Sequence, residues 1–224
     1  MNAARVVDLS DAGDGLIHLT LEMPSEIAST FTLPGQYQEL AIEGHSARPY
    51  AIASGPGRGN RFEFLVRRGF PLADAIGRLK AGDPVNVSPA RGPGFPMEEI
   101  RGRDLLLVAT GTGAAPMRAV IQTIVQNRGK FGEVTFYFGG RHGKDFAFEK
   151  EWPQWQSQQI NLVRTVSELD PSWQGLRGFV QDHFLEASWP DAAAFVVGSN
   201  PMVQAVTAEL VKRGVPRERI FLNL

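Results

Sequence analysis

The stretch from Leu105 to Gly129 constrains the fold most, because it joins an apolar run, a glycine turn and an amphipathic segment. The run Leu105–Ala109 is continuously apolar, which is typical of a parallel strand buried on both faces. Gly111-Thr112-Gly113 follows it. From Pro116 onward apolar residues recur at helical spacing, and proline is favoured just inside a helix start. Gly129 is predicted to end this helix.

A strand, a glycine turn and a helix in this order predict an anion site. Free backbone N–H groups at the N-terminus of a helix attract phosphate, so the turn at 111–113 is a candidate phosphate loop. An ordinary βα unit with a tight turn has the same pattern, and a lone Gly-x-Gly is weak evidence. On this stretch alone, both interpretations stay open.

Two other strand ends carry similar loops. In a parallel α/β sheet, ligands bind at the carboxyl ends of the strands. Gly198–Met202 follows the apolar residues Phe195–Val197, and Gly139-Gly140-Arg141 follows Val134–Phe138. Arg141 is a candidate contact for a ribose or a 2′-phosphate, and a surface arginine in a loop is the equally good alternative.

The chain changes character near residue 100. Before it, short strands at regular spacing surround one small helix, Leu72–Leu79, which predicts an antiparallel barrel. After the Pro/Gly-rich stretch 89–96, strands alternate with helices, which predicts a parallel doubly wound sheet. We therefore expect two domains, residues 1–100 and 101–224.

Composition excludes several kinds of site. The 224 residues contain no cysteine, so disulfides, thiolate zinc sites, all-cysteine iron–sulfur clusters and a cysteine nucleophile are ruled out. The four histidines have no ligand spacing, and no metal site is expected. A net charge of −1 gives no electrostatic reason to expect nucleic acid or an anionic membrane as partner. No apolar run approaches membrane-spanning length and the N-terminus lacks a signal-peptide core, so we expect a cytoplasmic protein of undetermined oligomeric state.

In the first domain, Arg48 and Tyr50 are the most informative pair. Two residues apart on a strand, they project to the same face. An arginine for phosphate beside an aromatic ring for stacking suits a flat, phosphorylated cofactor. A salt-bridged arginine with a core tyrosine is the alternative.

Taken together, these motifs resemble the ferredoxin–NADP reductase superfamily. Pro34-Gly-Gln-Tyr37, Arg48-Pro-Tyr-Ala-Ile-Ala-Ser54, Gly111–Pro116 and Val197–Met202 are similar to four of its motifs in order. The chain looks nearest to plant fruit-protein oxidoreductase homologues, with which it shares the segments Asp170–Gly175 and Gly178–Gln181. Ala90–Phe95 resembles the dihydroorotate dehydrogenase electron-transfer branch, without its cysteine-ligated iron–sulfur segment.

The resemblance implies an FAD-binding Greek-key β-barrel followed by a Rossmann-like NAD(P)-binding domain. Hydride would pass from NAD(P)H to FAD, and electrons would go on to an acceptor, including a protein acceptor. Tyr50 and Ala51 would lie beside the flavin, with no certain catalytic side chain. The implied flavin-side contacts are Arg48, Pro49, Tyr50, Ala51, Ile52, Arg67, Gly69, Leu72 and Ala73. The implied nucleotide-side contacts are Gly111, Thr112, Gly113, Ala114, Pro116, Arg141, Gly198, Asn200 and Met202.

Three positions depart from the family pattern. Ala51 replaces the Ser/Thr whose hydroxyl lies near flavin N5, Leu72 replaces a phosphate-motif Ser/Thr, and Val197 replaces the cysteine beside the nicotinamide. The alternative function is therefore a flavin- or nucleotide-binding module with little or no turnover, such as a sensor or an electron-transfer subunit of a larger complex. A degenerate fold that binds neither cofactor is a third reading. The sequence leaves FAD versus FMN open, and NADH versus NADPH depends on whether Arg141, Lys144 or Arg164 meets a 2′-phosphate.

Overall fold

A computed structural model describes residues 2–185 and 188–223. The chain forms two six-stranded sheets, one antiparallel and one parallel. This agrees with the expected barrel followed by an α/β sheet. Within the described ranges, none of the helices is long and apolar enough to cross a membrane.

The antiparallel sheet has the strand order β4-β3-β6-β1-β2-β5. A bridge between Ile52 and Phe64 joins the end of β4 to β5 and brings the two edges together into a barrel. Inward-facing apolar residues such as Leu19, Leu21 and Phe64 fill its interior. The elements are β1 (Asn2–Asp11), β2 (Leu16–Glu22), α1 (Ser25–Ala28), β3 (Tyr37–Ala41), β4 (Arg48–Ala51), β5 (Arg61–Arg67), α2 (Pro71–Ile76) and β6 (Pro84–Val87).

The parallel sheet has the strand order β10-β9-β8-β7-β11-β12. The chain runs outward from β7 through β8 and β9, then returns to place β11 on the other side of β7. The carboxyl ends of β7 and β11 therefore meet at the switch point where such sheets bind ligands. The elements are β7 (Leu105–Thr110), α3 (Ala114–Gln126), β8 (Val134–Gly140), α4 (Trp152–Ser157), β9 (Ile160–Val166), β10 (Leu176–Arg177), β11 (Ala193–Val197), α5 (Asn200–Lys212) and β12 (Ile220–Leu222).

Two helix ends differ from the predictions. Helix α3 ends at Gln126, because Asn127 leaves the helical conformation with φ −139° and ψ 41°, and residues 128–130 form a separate 3₁₀ turn. The predicted stop at Gly129 is therefore wrong. Helix α2 runs from Pro71 to Ile76, not to Leu79, and Gly77 ends it. The predicted domain boundary at 100/101 lies between β6 and β7 and stays a prediction.

Candidate functional site

Two neighbouring cavities open beside the switch point of the parallel sheet. One, of about 850 Å³, lies at the carboxyl ends of the parallel strands. The other, of about 700 Å³, lies between β4, α2 and the start of α3. Both are lined by Arg67, Thr112, Gly113 and Val197. We call them the sheet cavity and the barrel cavity, and these four residues form their common wall.

The barrel cavity contains the Arg48–Ala51 strand that the sequence predicts. Arg48, Pro49, Tyr50 and Ala51 all line it, with Leu72 on the α2 side. Burial raises the pKa of the Tyr50 hydroxyl, and the charge of Arg48 offsets only part of that rise. The phenol is therefore neutral.

A flat ligand that bears phosphate fits the barrel cavity. Among the described residues, neither Arg48 nor Arg67 has a carboxylate within ion-pair distance, so both guanidinium groups are available to an anion. A partly buried tyrosine ring lies beside them for stacking. This donor set suits a flat, phosphorylated nucleotide.

The sheet cavity is built on closely packed glycines. A Cβ at Gly113 would lie 2.5 Å from the carbonyl oxygen of Val197, and a Cβ at Gly198 would overlap the side chains of Met202 and Thr110. Gly111 has a positive φ of 56°. Smallness at 113 and 198 is therefore required by protein neighbours, which let the β7 and β11 loops approach each other at the switch point.

The structure brings most of the predicted site residues together. Besides the common wall and the β4 residues, Gly111, Pro116, Arg141, Gly198 and Met202 line one of the two cavities. Three predicted residues, Ile52, Ala73 and Ala114, are buried and line neither cavity. Gly69 and Asn200 lie outside both linings. As cofactor contacts, all of these positions stay predictions.

Sequence reasoning missed several lining residues. Phe179 lines the sheet cavity with its ring 63% exposed, and Gln181 and Ser167 lie beside it. Phe70, equally exposed, and His45 line the barrel cavity. The sequence shows that Gly178–Gln181 resembles a segment of related proteins. No rule of residue spacing, however, marks the phenylalanine in it as a ligand contact.

Two of the three cations considered for a 2′-phosphate are engaged elsewhere. Lys144 Nζ lies 2.7 Å from Asp14 Oδ2, in the loop between β1 and β2. Arg164 lies over the ring of Trp152, 4.4 Å from its centroid, and also near Trp173. Arg141 lines the sheet cavity.

Comparison with known proteins agrees with this geometry. The model of the oxidoreductase NAD-binding domain family matches residues 107–208. Sulfhydrogenase 1 subunit gamma of Pyrococcus furiosus is 36% identical, over 89% of this chain and 70% of the relative. Ferredoxin–NADP reductase B of Sorangium cellulosum is 31% identical, over 84% of this chain and 83% of the relative. The chain belongs to the ferredoxin–NADP reductase family.

Two further relatives extend the match. Fruit protein pKIWI502 of Actinidia deliciosa is 28% identical, over 91% of this chain and 69% of the relative, which confirms the predicted likeness to plant fruit proteins. The crystal structure of the Amycolatopsis cytochrome P450 reductase GcoB aligns with 99% of this chain and 69% of that one, at 26% identity and a TM-score of 0.83. FAD and NAD(P)H, the predicted cofactors, are those of this family of reductases.

Proposed function

We propose that the chain takes hydride from NAD(P)H in the sheet cavity onto FAD in the barrel cavity, and that the electrons go on to a protein acceptor. This proposal rests on the common wall of the two cavities. Ligands that fill the two cavities would both contact Thr112, Gly113 and Val197. A nicotinamide and a flavin ring held there would be neighbours, as direct hydride transfer requires.

The chain's own residues would bind and orient. FAD held in the barrel cavity would supply the two-electron redox chemistry between NAD(P)H and the acceptor. Arg48 and Arg67 would balance phosphate charge, and Tyr50 would pack against the flavin ring. The Gly111–Gly113 turn would hold the nucleotide pyrophosphate with its backbone N–H groups. Phe179 would stack on the adenine, and Arg141 would meet a 2′-phosphate if NADPH is the donor.

The proposal of a protein acceptor is supported by a relative that is one subunit of a larger enzyme. The P. furiosus protein is a subunit of a sulfhydrogenase, so that relative works within an assembly. In this chain, the rim of the barrel cavity carries His45 and the exposed ring of Phe70, where a partner would approach the flavin. We further propose that the reaction takes place in the cytoplasm, because NAD(P)H is available there. The division into residues 1–100 and 101–224 is proposed as the flavin and nucleotide halves.

An absorbance spectrum of the purified protein tests the function. We expect a bound flavin and its anaerobic bleaching by NADH or by NADPH, each added separately. Arg48→Gln should purify with less flavin, whereas Arg91→Gln, which removes an exposed ion pair with Glu39, should not. A colourless protein that neither FAD nor FMN reconstitutes would overturn the proposal.

The second candidate is a binding module without turnover, and Ala51, Leu72 and Val197 favour it. Each removes a polar group that the family places near the reacting atoms or the phosphates, and losing one positioned hydrogen bond can cost on the order of a hundredfold in rate. A protein that holds flavin but is bleached by neither nucleotide over minutes would establish this candidate instead of the reductase.

A further inference from the structure

A buried arginine joins helix α3 to β5 and to the residue pair that follows β4. Arg118 lies on α3, about one turn beyond the residues that line the cavities, and its side chain is 7% exposed. Its Nη1 donates to the carbonyl oxygen of Ala53 at 3.0 Å. Its Nη2 lies 2.8 Å from Glu63 Oε2 on β5, and its Nε donates to Glu151 Oε1 at 2.8 Å.

The surroundings keep this cluster charged. Burial by itself would raise the pKa of Glu63, but the hydrogen bond with His18 and the charge of Arg118 lower it to about 2. His18 Nε2 lies 2.6 Å from Glu63 Oε2, and the Arg118 guanidinium lies 4.9 Å from the centre of the Phe148 ring. Each nitrogen of the planar guanidinium has its own acceptor, an arrangement that a lysine ammonium cannot reproduce.

The cluster, together with Gln122, holds residues 53–55, which follow β4. Ala53 stands two residues after Ala51, which lines the barrel cavity. One turn further along α3, Gln122 Oε1 accepts a hydrogen bond of 2.8 Å from the backbone N–H of Gly55. Helix α3 is thus fastened at two points to residues 53–55, while the loop that leads into it lines the sheet cavity.

We infer that Arg118 is a positioning residue that sets the distance between the nicotinamide and the flavin. The inference rests on the proposed function. A misplacement of 1 Å caused by a change far from the reacting atoms can lower a rate about a hundredfold. Buried ion pairs are weak evidence for stability on their own, so a role in geometry accounts better for a three-acceptor site that joins the two cofactor segments.

The test compares Arg118→Gln with the wild type in single-turnover flavin bleaching. We expect the variant to keep its flavin and its nucleotide dissociation constant within a few fold, and to be bleached about 10–100 times more slowly. Arg118→Lys should recover only part of the rate. Asp14→Asn removes the exposed Asp14–Lys144 pair, which also joins the two sheets, and should leave the rate unchanged.

Hydrogen exchange in flavin-free protein gives a second readout. The amide of Gly55 should exchange faster in Gln122→Met, which lacks the acceptor, and in Arg118→Gln, but not in Asp14→Asn. Unchanged exchange in both variants would overturn the inference whether or not the protein has reductase activity. A wild type that holds flavin and is not bleached would overturn the proposed function alone.

Two kinetic outcomes would also overturn the inference. One is wild-type bleaching by flavin-loaded Arg118→Gln. The other is a loss that falls on nucleotide affinity with no change in the bleaching rate. If Arg118→Gln does not retain flavin, Gln122→Met decides: a several-fold slower rate at unchanged nucleotide affinity supports the inference, and an unchanged rate overturns it.

Discussion

The ring of Phe95 lies parallel to that of Phe195 on β11, with 4.2 Å between the centroids and 10° between the planes. The same Phe95 ring covers Gly35, where a Cβ would lie 2.7 Å from it, and Phe95 N–H donates to the carbonyl of Pro34. The Pro34–Tyr37 and Ala90–Phe95 motifs therefore meet each other and the parallel sheet. Neither Gly35 nor Phe95 lines the sheet cavity or the barrel cavity, and the contact of Phe95 with Phe195 joins the barrel to the parallel sheet.

Phe95→Ala should lower the free energy of unfolding by about 3–5 kcal/mol, because the ring is fully buried between two sheets. Urea unfolding of flavin-free protein measures this. Phe70→Ala removes an exposed ring of equal size, and its midpoint should stay close to that of the wild type. Equal midpoints for the two variants would contradict the assigned contact.

Ala51→Ser should speed anaerobic flavin bleaching. The change restores a hydroxyl on the wall of the barrel cavity, and one positioned hydrogen bond is worth on the order of a hundredfold in rate. Stopped-flow absorbance compares it with Ala81→Ser, which lies in an exposed turn. A rate equal to that of the control would show that the missing hydroxyl at Ala51 does not limit flavin bleaching.

Gly113→Ala should weaken both cofactor sites, because its Cβ would lie 2.5 Å from the Val197 carbonyl and would push the β7 and β11 loops apart. We expect a nucleotide dissociation constant raised at least about tenfold, equivalent to about 1.4 kcal/mol. Gly129→Ala is the matched control, because a Cβ there meets nothing within 4 Å. Titration of each variant with NADH and NADPH distinguishes them.

Phe179→Ala should raise the KM for the nucleotide and leave the bleaching rate at saturation unchanged, because the ring lines the sheet cavity but is not part of the common wall or of the barrel cavity. Stacking of this kind is worth about 1–3 kcal/mol per base, roughly 5- to 150-fold in KM. Leu185→Ala removes a comparably exposed apolar side chain that lines neither cavity. A fall in the saturated rate without a change in KM would contradict the assignment.

Acid should destabilise the fold by protonating Glu63, whose ion pair with Arg118 joins the two sheets. Its folded pKa of about 2 lies below the ordinary 4.5, so ionised Glu63 stabilises the fold above pH 4.5 and this contribution is lost as the pH falls toward 2. Glu63→Gln should lower stability at neutral pH and flatten the decline over that range. Thermal unfolding at a series of pH values measures this. Glu98→Gln, which removes an exposed pair with Arg101, should show the same pH dependence of stability as the wild type.

The fold was predictable because the spacing of apolar residues along a segment indicates which of its side chains are buried. The apolar run Leu105–Ala109 is fully buried in the middle of the parallel sheet, as its composition indicates. The two-residue strand β10 escaped prediction, since no pattern exists over two residues. The end of α3 was misjudged because Asn127 breaks the helix before the glycine does.

The candidate site was only partly predictable. The Arg48–Ala51 strand and the glycine loops can be found from local motifs. The Glu63–Arg118–Glu151 cluster cannot, because its members are far apart in sequence and become neighbours only when the two sheets pack. The reason for glycine at 113 and 198 also lies in that packing, which no local pattern records.

If the sheet cavity holds the nucleotide and the barrel cavity holds the flavin, their common wall couples the two binding equilibria. Any shift of Thr112, Gly113 or Val197 that one ligand induces changes the affinity for the other, and the coupling is reciprocal. If occupancy of the barrel cavity tightens nucleotide binding by some factor, the nucleotide must tighten flavin binding by the same factor. The supply of NAD(P)H would then govern how firmly the chain retains its flavin.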